Sequence, residues 1–184
     1  RRVDADFLND IRQQDEVART LAHLERLAVL EQAHQLHDLD VDIRLAAESA
    51  YWRAAGINNG LGAVELGLSY TLTRAIGASR AFEICLSGRD VHAEEAERIG
   101  LVSRTLPDDE LLDAAYELAE RICGFSTHGV AMTKKVLWSS LEVGSLEAAI
   151  DMENRNQLLV RLTTQNLDEY IRSRKEGRDP VYND

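Results

Sequence analysis

The chain has 184 residues, enough for one domain with a buried core, and its 45% hydrophobic and 29% charged residues are the balance of a soluble globular protein. A formal charge of −11 excludes general nucleic-acid binding, which needs a basic footprint. No apolar run approaches the roughly 20 residues of a membrane span, and Cys85 and Cys123 lack metal-type spacing, so reduced, buried thiols in a cytoplasmic protein are expected.

The N-terminus, RRVDADFLND, has neither an apolar signal segment nor an initiator Met, so a processed or partly represented chain is expected. From Asp6 to about Gln35, apolar residues at helical spacing (Val17, Leu21, Leu24, Leu27, Ala28) predict one long amphipathic helix. Val41, Ile43 and Leu45 alternate with polar positions and predict a strand over 41–47; YWRAA, 51–55, reads as a short second strand. Short helices follow: 68–76 ending at Gly77, 80–86 capped by Ser79 and ending at Gly88, and 93–99 ending at Gly100. LVSRT, 101–105, reads as a brief strand. Pro107 and Asp108 open a helix to about Cys123. Further helices run over 127–141, from Ser145 to about Thr164, and from an Asn166 cap to Lys175. Strand material is scarce for a stable sheet, so partner strands must come from elsewhere or be absent.

GINNGLGAVELG, residues 56–67, holds four of the eleven glycines and a single carboxylate, Glu65. Its spacing fits neither GxGxxG nor GxxxxGK[ST], which excludes a phosphate cradle of those types. Gly60 and Gly62 read as turn residues permitting positive φ and close backbone approach. Glu65 has two readings. Among Val64, Leu66 and Leu68, a partly desolvated carboxylate would have a raised pKa and could move protons. Equally, an acid ahead of a helix at 68–76 would favour its dipole. The five histidines (His23, His34, His37, His92, His128) lie on polar faces or in turns; the His34/His37 pair reads as surface or junction residues, not metal ligands. Trp52 and Trp138 read as core or interface residues.

The phrases from DIRLAAESAYWRAAGINNGLGAVELGLSY to SGRDVHAEEAERIGLVSRTLP, 42–107, with RKEGRDPVYND at 174–184, resemble the crotonase (enoyl-CoA hydratase/isomerase) superfamily. The resemblance implies an α/β fold with a spiral ββα core, residues 1–107 forming the core portion and 108–184 a helical trimerisation region. In the helical part, Val130, Met132, Val136, Leu137 and Leu141, then Leu146, Ile150, Leu158, Leu159 and Leu162, form apolar stripes. The resemblance assigns these to a homotrimer or dimer of trimers, while the residues alone also allow an intramolecular bundle.

It further implies an acyl-CoA substrate whose thioester oxygen is held by two backbone N–H groups, with side-chain carboxylates moving protons. ADF, 5–7, resembles the end of the first oxyanion segment, so Ala5 would donate one N–H, although Asp4 stands where a glycine is usual; the residues alone read as a helix start capped by Asp4 or Asp6. The second N–H would come from a glycine-rich loop, but no glycine occurs between Arg1 and Ala55. One family carboxylate falls in that absent loop and the other on Gly56, which disfavours hydration by the usual pair. The resemblance implies Glu65 as the acid/base, since it matches an acidic position that isomerase-like members use ahead of a glycine pair, with Leu61, Gly62 and Leu66 lining the substrate pocket. No metal and no cofactor beyond the substrate's own CoA is implied. The expected function is proton transfer next to a thioester carbonyl, in isomerisation or a hydratase-like lyase step. The alternative is a catalytically silent homologue that binds acyl-CoA or serves as an oligomeric module.

Overall fold

The computed structural model describes residues 27–30, 33–35 and 42–183. Their strands are β1 Leu27–Leu30, β2 Ala33–Gln35, β3 Ile43–Ala47, β4 Tyr51–Arg53, β5 Asp90–His92 and β6 Arg104–Leu106. They form two three-stranded sheets, ordered β1-β3-β6 and β2-β4-β5. Successive strands β1 to β4 alternate between the sheets, so parallel neighbours within one sheet are joined through the other. Parallel pairs need such crossovers because a tight turn cannot join them. This is the spiral expected from the sequence phrases.

The partner strands come from the segment expected to be helical. β1 pairs with β3 in parallel, Val29 opposite Leu45, and β2 pairs with β4, His34 opposite Trp52. Residues 27–30 and 33–35 are therefore strand, which corrects the C-terminal end of the helix predicted over 6–35; the rest of that helix lies outside the described residues. The apolar stretch LAVL suits either period, and tertiary pairing to β3 overrides the local preference. β3 also departs from simple alternation, because Leu45, Ala46 and Ala47 are all buried. It is the central strand of its sheet, and a parallel strand covered on both faces reads as a continuous apolar run.

The described residues also form eight helices: α1 Ala55–Asn58, α2 Leu68–Ile76, α3 Ala78–Ser87, α4 Ala93–Arg98, α5 Leu111–Cys123, α6 Thr127–Ser140, α7 Leu146–Thr163 and α8 Asn166–Glu176. α2 buries Leu68, Leu72 and Ile76, one face at spacing of four, and α3 buries Ala81, Ile84 and Cys85. α3 begins at Ala78 with Gly77 as its cap residue and no side-chain cap, which corrects the Ser79 cap. α4 is closed by Gly100 N–H to the Glu97 carbonyl and Leu101 N–H to the Ala96 carbonyl, the paired bonds of a Schellman motif. That closure turns the chain toward β6, three residues later than the strand predicted from Leu101.

The helix after Pro107 starts only at Leu111. Asp108 is engaged elsewhere: its carboxylate accepts from the Ser49 hydroxyl and from the Ser49 N–H at 3.3 Å, tying it to the turn between β3 and β4.

The chain divides into two compact units, with the boundary inside α5 between Leu118 and Ala119. The first has a core of Leu45, Trp52, Leu72, Ile84, Val91, Leu101 and Leu111, each at most 2% exposed. In the second, Ser126 caps α6 by accepting from Gly129 N–H (2.9 Å), and Ser145 caps α7 by accepting from Ala148 N–H (3.2 Å). Asn166 does not cap α8. The cap residue is Gln165, and the Asn166 amide instead donates to Ser126 Oγ at 2.7 Å. Cys85 is buried and Cys123 half-buried, both as free thiols.

Candidate active site

The glycine stretch is built from α1, a loop, and the start of α2. α1 buries none of its four residues. Its glycine sets the loop's course. A Cβ on Gly56 would stand 2.1 Å from the Gly62 carbonyl oxygen, so no side chain fits there. The Gly56 carbonyl accepts from Leu61 N–H at 2.9 Å and closes the loop on the helix. Ala63 packs against the core, and Leu68 N–H bonds the Glu65 carbonyl at 2.9 Å where α2 begins. Positive φ occurs at Gly60 (76°), Leu66 (50°) and Gly67 (86°) but not at Gly62, which corrects the expectation there. Gly62 matters here through its backbone: its carbonyl occupies the space over Gly56, while a Cβ on Gly62 itself would meet nothing within 4 Å.

Leu61, Gly62, Glu65 and Leu66 thus share one exposed loop. Leu61 is 70%, Val64 50% and Leu66 76% exposed, and Glu65 is exposed with them. The apolar shielding expected around Glu65 is not supplied within this chain's described residues, because Val64 and Leu66 face solvent too and Leu68 is buried in the core instead. Glu65 lies ahead of the helix, and its carbonyl, not its carboxylate, bonds the first turn. It precedes the Gly67 cap, α2 has no acid in its first turn, and no side chain caps it. Its carboxylate has no hydrogen bond or ion pair among the described residues. Ala5 lies outside the described residues.

A second contact at this site was not legible in the sequence. Asn58, in α1, donates its side-chain amide to the Gly88 carbonyl at 2.7 Å. The turn carrying Gly88 is fixed by Arg89. Its guanidinium bonds Glu83 on α3 (Nη2 to Oε2, 2.8 Å) and Glu95 on α4 (Nη1 to Oε2, 2.7 Å). Hydrogen bonding to Arg89 holds both carboxyls below the usual carboxylate range, and Glu83 and Glu95 hold the guanidinium above its own. The sequence analysis assigned no role to Asn58. The partner lies 30 residues further on, and nothing local announces it.

No described helix is long and apolar enough to cross a membrane. Among the described residues, no cluster of three or more His, Cys, Asp or Glu could hold a metal ion.

Comparison with known proteins agrees with this fold. The family model described as enoyl-CoA hydratase/isomerase matches residues 35–184. A probable enoyl-CoA hydratase of Mycobacterium tuberculosis is 62% identical over 146 residues, covering 79% of this chain and 51% of its own length. The chain therefore spans about half the length of the curated relatives it matches. Among solved structures, a probable enoyl-CoA hydratase/isomerase from Mycobacterium abscessus superimposes with a TM-score of 0.81 at 48% identity, over 91% of this chain and 67% of that one. A monofunctional enoyl-CoA isomerase from M. smegmatis gives 0.64 at 53% identity, over 73% of this chain and 65% of that one. With its spiral of paired sheets and a family match over most of its length, the chain belongs to the enoyl-CoA hydratase/isomerase family.

Proposed function

We propose that the protein is an acyl-CoA isomerase that moves a double bond with one carboxylate, Glu65. The observation that carries this reading is the loop's single acid. Glu65 is the only carboxylate from Ala54 to Gly67, and the Gly62 carbonyl closes the space where Gly56 would need a side chain. Activating water and protonating carbon in one step is work for two groups. Shuttling one proton between two carbons needs only one. The similarity to a monofunctional enoyl-CoA isomerase supports the same choice.

In the proposed step, the Glu65 carboxylate takes a proton from C2 of a 3-enoyl-CoA. The C–H electron pair moves into the thioester and places negative charge on its oxygen. Backbone N–H groups, Ala5 among them, stabilise that charge. The protonated carboxyl returns the proton to C4, leaving the double bond between C2 and C3. Proton and charge balance without a metal or redox group, so CoA enters only as part of the substrate. An exposed carboxylate in the single chain becomes a dry one when the acyl chain, or a neighbouring subunit, covers Leu61, Val64 and Leu66.

The same reading includes assembly in the cytoplasm as a homotrimer or dimer of trimers. Leu146, Ile150, Leu158, Leu159 and Leu162 on α7 are 46–82% exposed, a long apolar stripe for one helix. Sedimentation of the full protein tests this: a species of three or six chains is expected, and a monomer at all concentrations overturns it.

Glu65→Gln tests the chemistry. With the fold kept by circular dichroism, turnover of 3-hexenoyl-CoA is expected to fall by about 10²–10⁴. Undiminished turnover overturns the role of Glu65. Hydration of a 2-enoyl-CoA without isomerisation by the wild type overturns the isomerase reading. Tight acyl-CoA binding with neither reaction makes the protein a silent binder.

A further inference from the structure

We propose that Asn58 is a positioning residue that holds the Glu65 loop in register by anchoring α1 to the Gly88 carbonyl. The inference rests on Glu65 being the proton-moving group. α1 seals none of its residues from water; its apolar contact at the turn comes from Ile57, 36% exposed, whose Cγ2 lies against Gly88. Its tether across the fold is the Asn58 amide bond to Gly88, 2.7 Å and partly buried. The fit is close. A Cβ on Gly88 would meet Asn58 Oδ1 at 2.6 Å, Ile57 Cγ2 at 2.7 Å and Asn58 Nδ2 at 2.8 Å. Gly88 also has φ +62°, a conformation that residues with a Cβ rarely adopt. The Arg89 bonds to Glu83 and Glu95 make the turn that presents this carbonyl a rigid anchor.

From Asn58 the constraint passes along the chain. Gly56, two residues back, receives the Leu61 N–H and abuts the Gly62 carbonyl. Those contacts set where the loop leaves α1. Its other end is set by Leu68, which is buried at the start of α2. Glu65 lies between the two, two residues beyond Ala63, which packs against the core. With the Asn58 tether lost, the α2 end stays fixed and the α1 end drifts, so the carboxylate moves relative to a substrate held elsewhere. Misplacing a catalytic group by about 1 Å can cost on the order of 10²-fold in rate.

The experiment compares Asn58→Asp, Asn58→Ala and Gly88→Ala with wild type in the full protein, using 3-hexenoyl-CoA in D2O. Asn58→Asp keeps the shape and removes the N–H donor, so it separates the bond from the volume if Asn58→Ala folds poorly. In all three, kcat per folded active site is expected to fall by about 10–100-fold while KM moves less than about threefold. Deuterium at C4 of the product should rise, because a displaced carboxyl holds the proton longer and exchanges it with solvent. Asn58→Asp added to Glu65→Gln should cost nothing further. A merely structural role lowers the folded fraction and leaves kcat per site and deuterium uptake unchanged, and that result overturns the proposal. If Glu65→Gln is inactive while the Asn58 variants match wild type, positioning by Asn58 alone fails. If Glu65→Gln is fully active, the isomerase reading and this inference fall together.

Discussion

The two units of this chain reach order by different means. The first seals a core: Leu45, Trp52, Leu72, Ile84, Val91, Leu101 and Leu111 are all but removed from water. The second contains the longest helices among the described residues, α6 and α7, yet neither buries a single residue. Polar groups tie its edges, Ser126 and Ser145 at helix starts and Glu169 at the C-terminal tail, while Val130, Met132, Val136 and Trp138 of α6 are only half-buried. Apolar periodicity alone therefore does not mark a core. The same spacing of leucines produces a sealed interior in α2 and a solvent-facing stripe in α7.

Core truncation breaks this contrast most directly. Trp52→Ala removes a fully buried indole from the centre of the second sheet and is expected to cost about 3–5 kcal/mol. Leu162→Ala, at a side chain 82% exposed, should stay within about 0.5 kcal/mol in the dissociated chain. Urea unfolding of both variants checks the pair. Equal losses would mean that the second unit is as dependent on apolar packing as the first.

Gly56→Ala tests the first unit where it meets the site. The added methyl would collide with the Gly62 backbone, and backbone cannot step aside as a flexible side chain does. A loss of about 1–3 kcal/mol is expected in denaturant unfolding, the usual cost of overpacking. Gly62→Ala, with nothing within 4 Å of its added atom, should cost far less. A reversal of that order would show that the loop is not closed on α1.

The contrast also shows what was legible beforehand. The bounds of α2 follow directly from its apolar face and Gly77, because that information is local. β1 and β2 were hidden, since LAVL and AHQ become strands only through β3 and β4, which lie later in the chain. The loop's single acid was visible as a string of letters. Its exposure was not, because burial by Val64 and Leu66 depends on where their own side chains lie. The Asn58–Gly88 bond was invisible for the same reason as the strands: it joins residues far apart in sequence.

The edge contacts of the second unit give smaller effects. Ser126→Ala removes the Gly129 N–H acceptor at the start of α6 and leaves the Asn166 amide without its hydroxyl partner. About 1 kcal/mol is expected from the cap alone, read as a drop in the unfolding midpoint. Ser145→Ala, an exposed cap at 3.2 Å, should cost less. If both serines prove neutral, the helices of this unit are not held by their caps.

Glu169 should give the most local effect. Its carboxylate accepts from Arg178 Nη1 (2.6 Å), from Arg172 Nε (3.1 Å) and from the Val181 backbone N–H (3.1 Å), so it pins the tail beyond Gly177 back onto α8. The Arg178 hydrogen bond, then the Val181 N–H, hold its pKa down to about 2 from an ordinary 4.5. The sign follows from linkage. A depressed carboxyl contributes stability that is fully present above 4.5 and is lost as the pH falls toward 2. Glu169→Gln keeps the shape, removes the charge that Arg172 and Arg178 share, and turns one acceptor into a donor, facing either Arg172 or Arg178 and Val181 together. At neutral pH the variant should show faster hydrogen exchange at the Val181 N–H and easier proteolysis after Gly177, with the unfolding of the first unit unchanged. As the pH is lowered from 4.5 toward 2, wild type should come to resemble the variant. A tail that stays protected in Glu169→Gln would mean that the ion pairs merely decorate a tail held by other contacts.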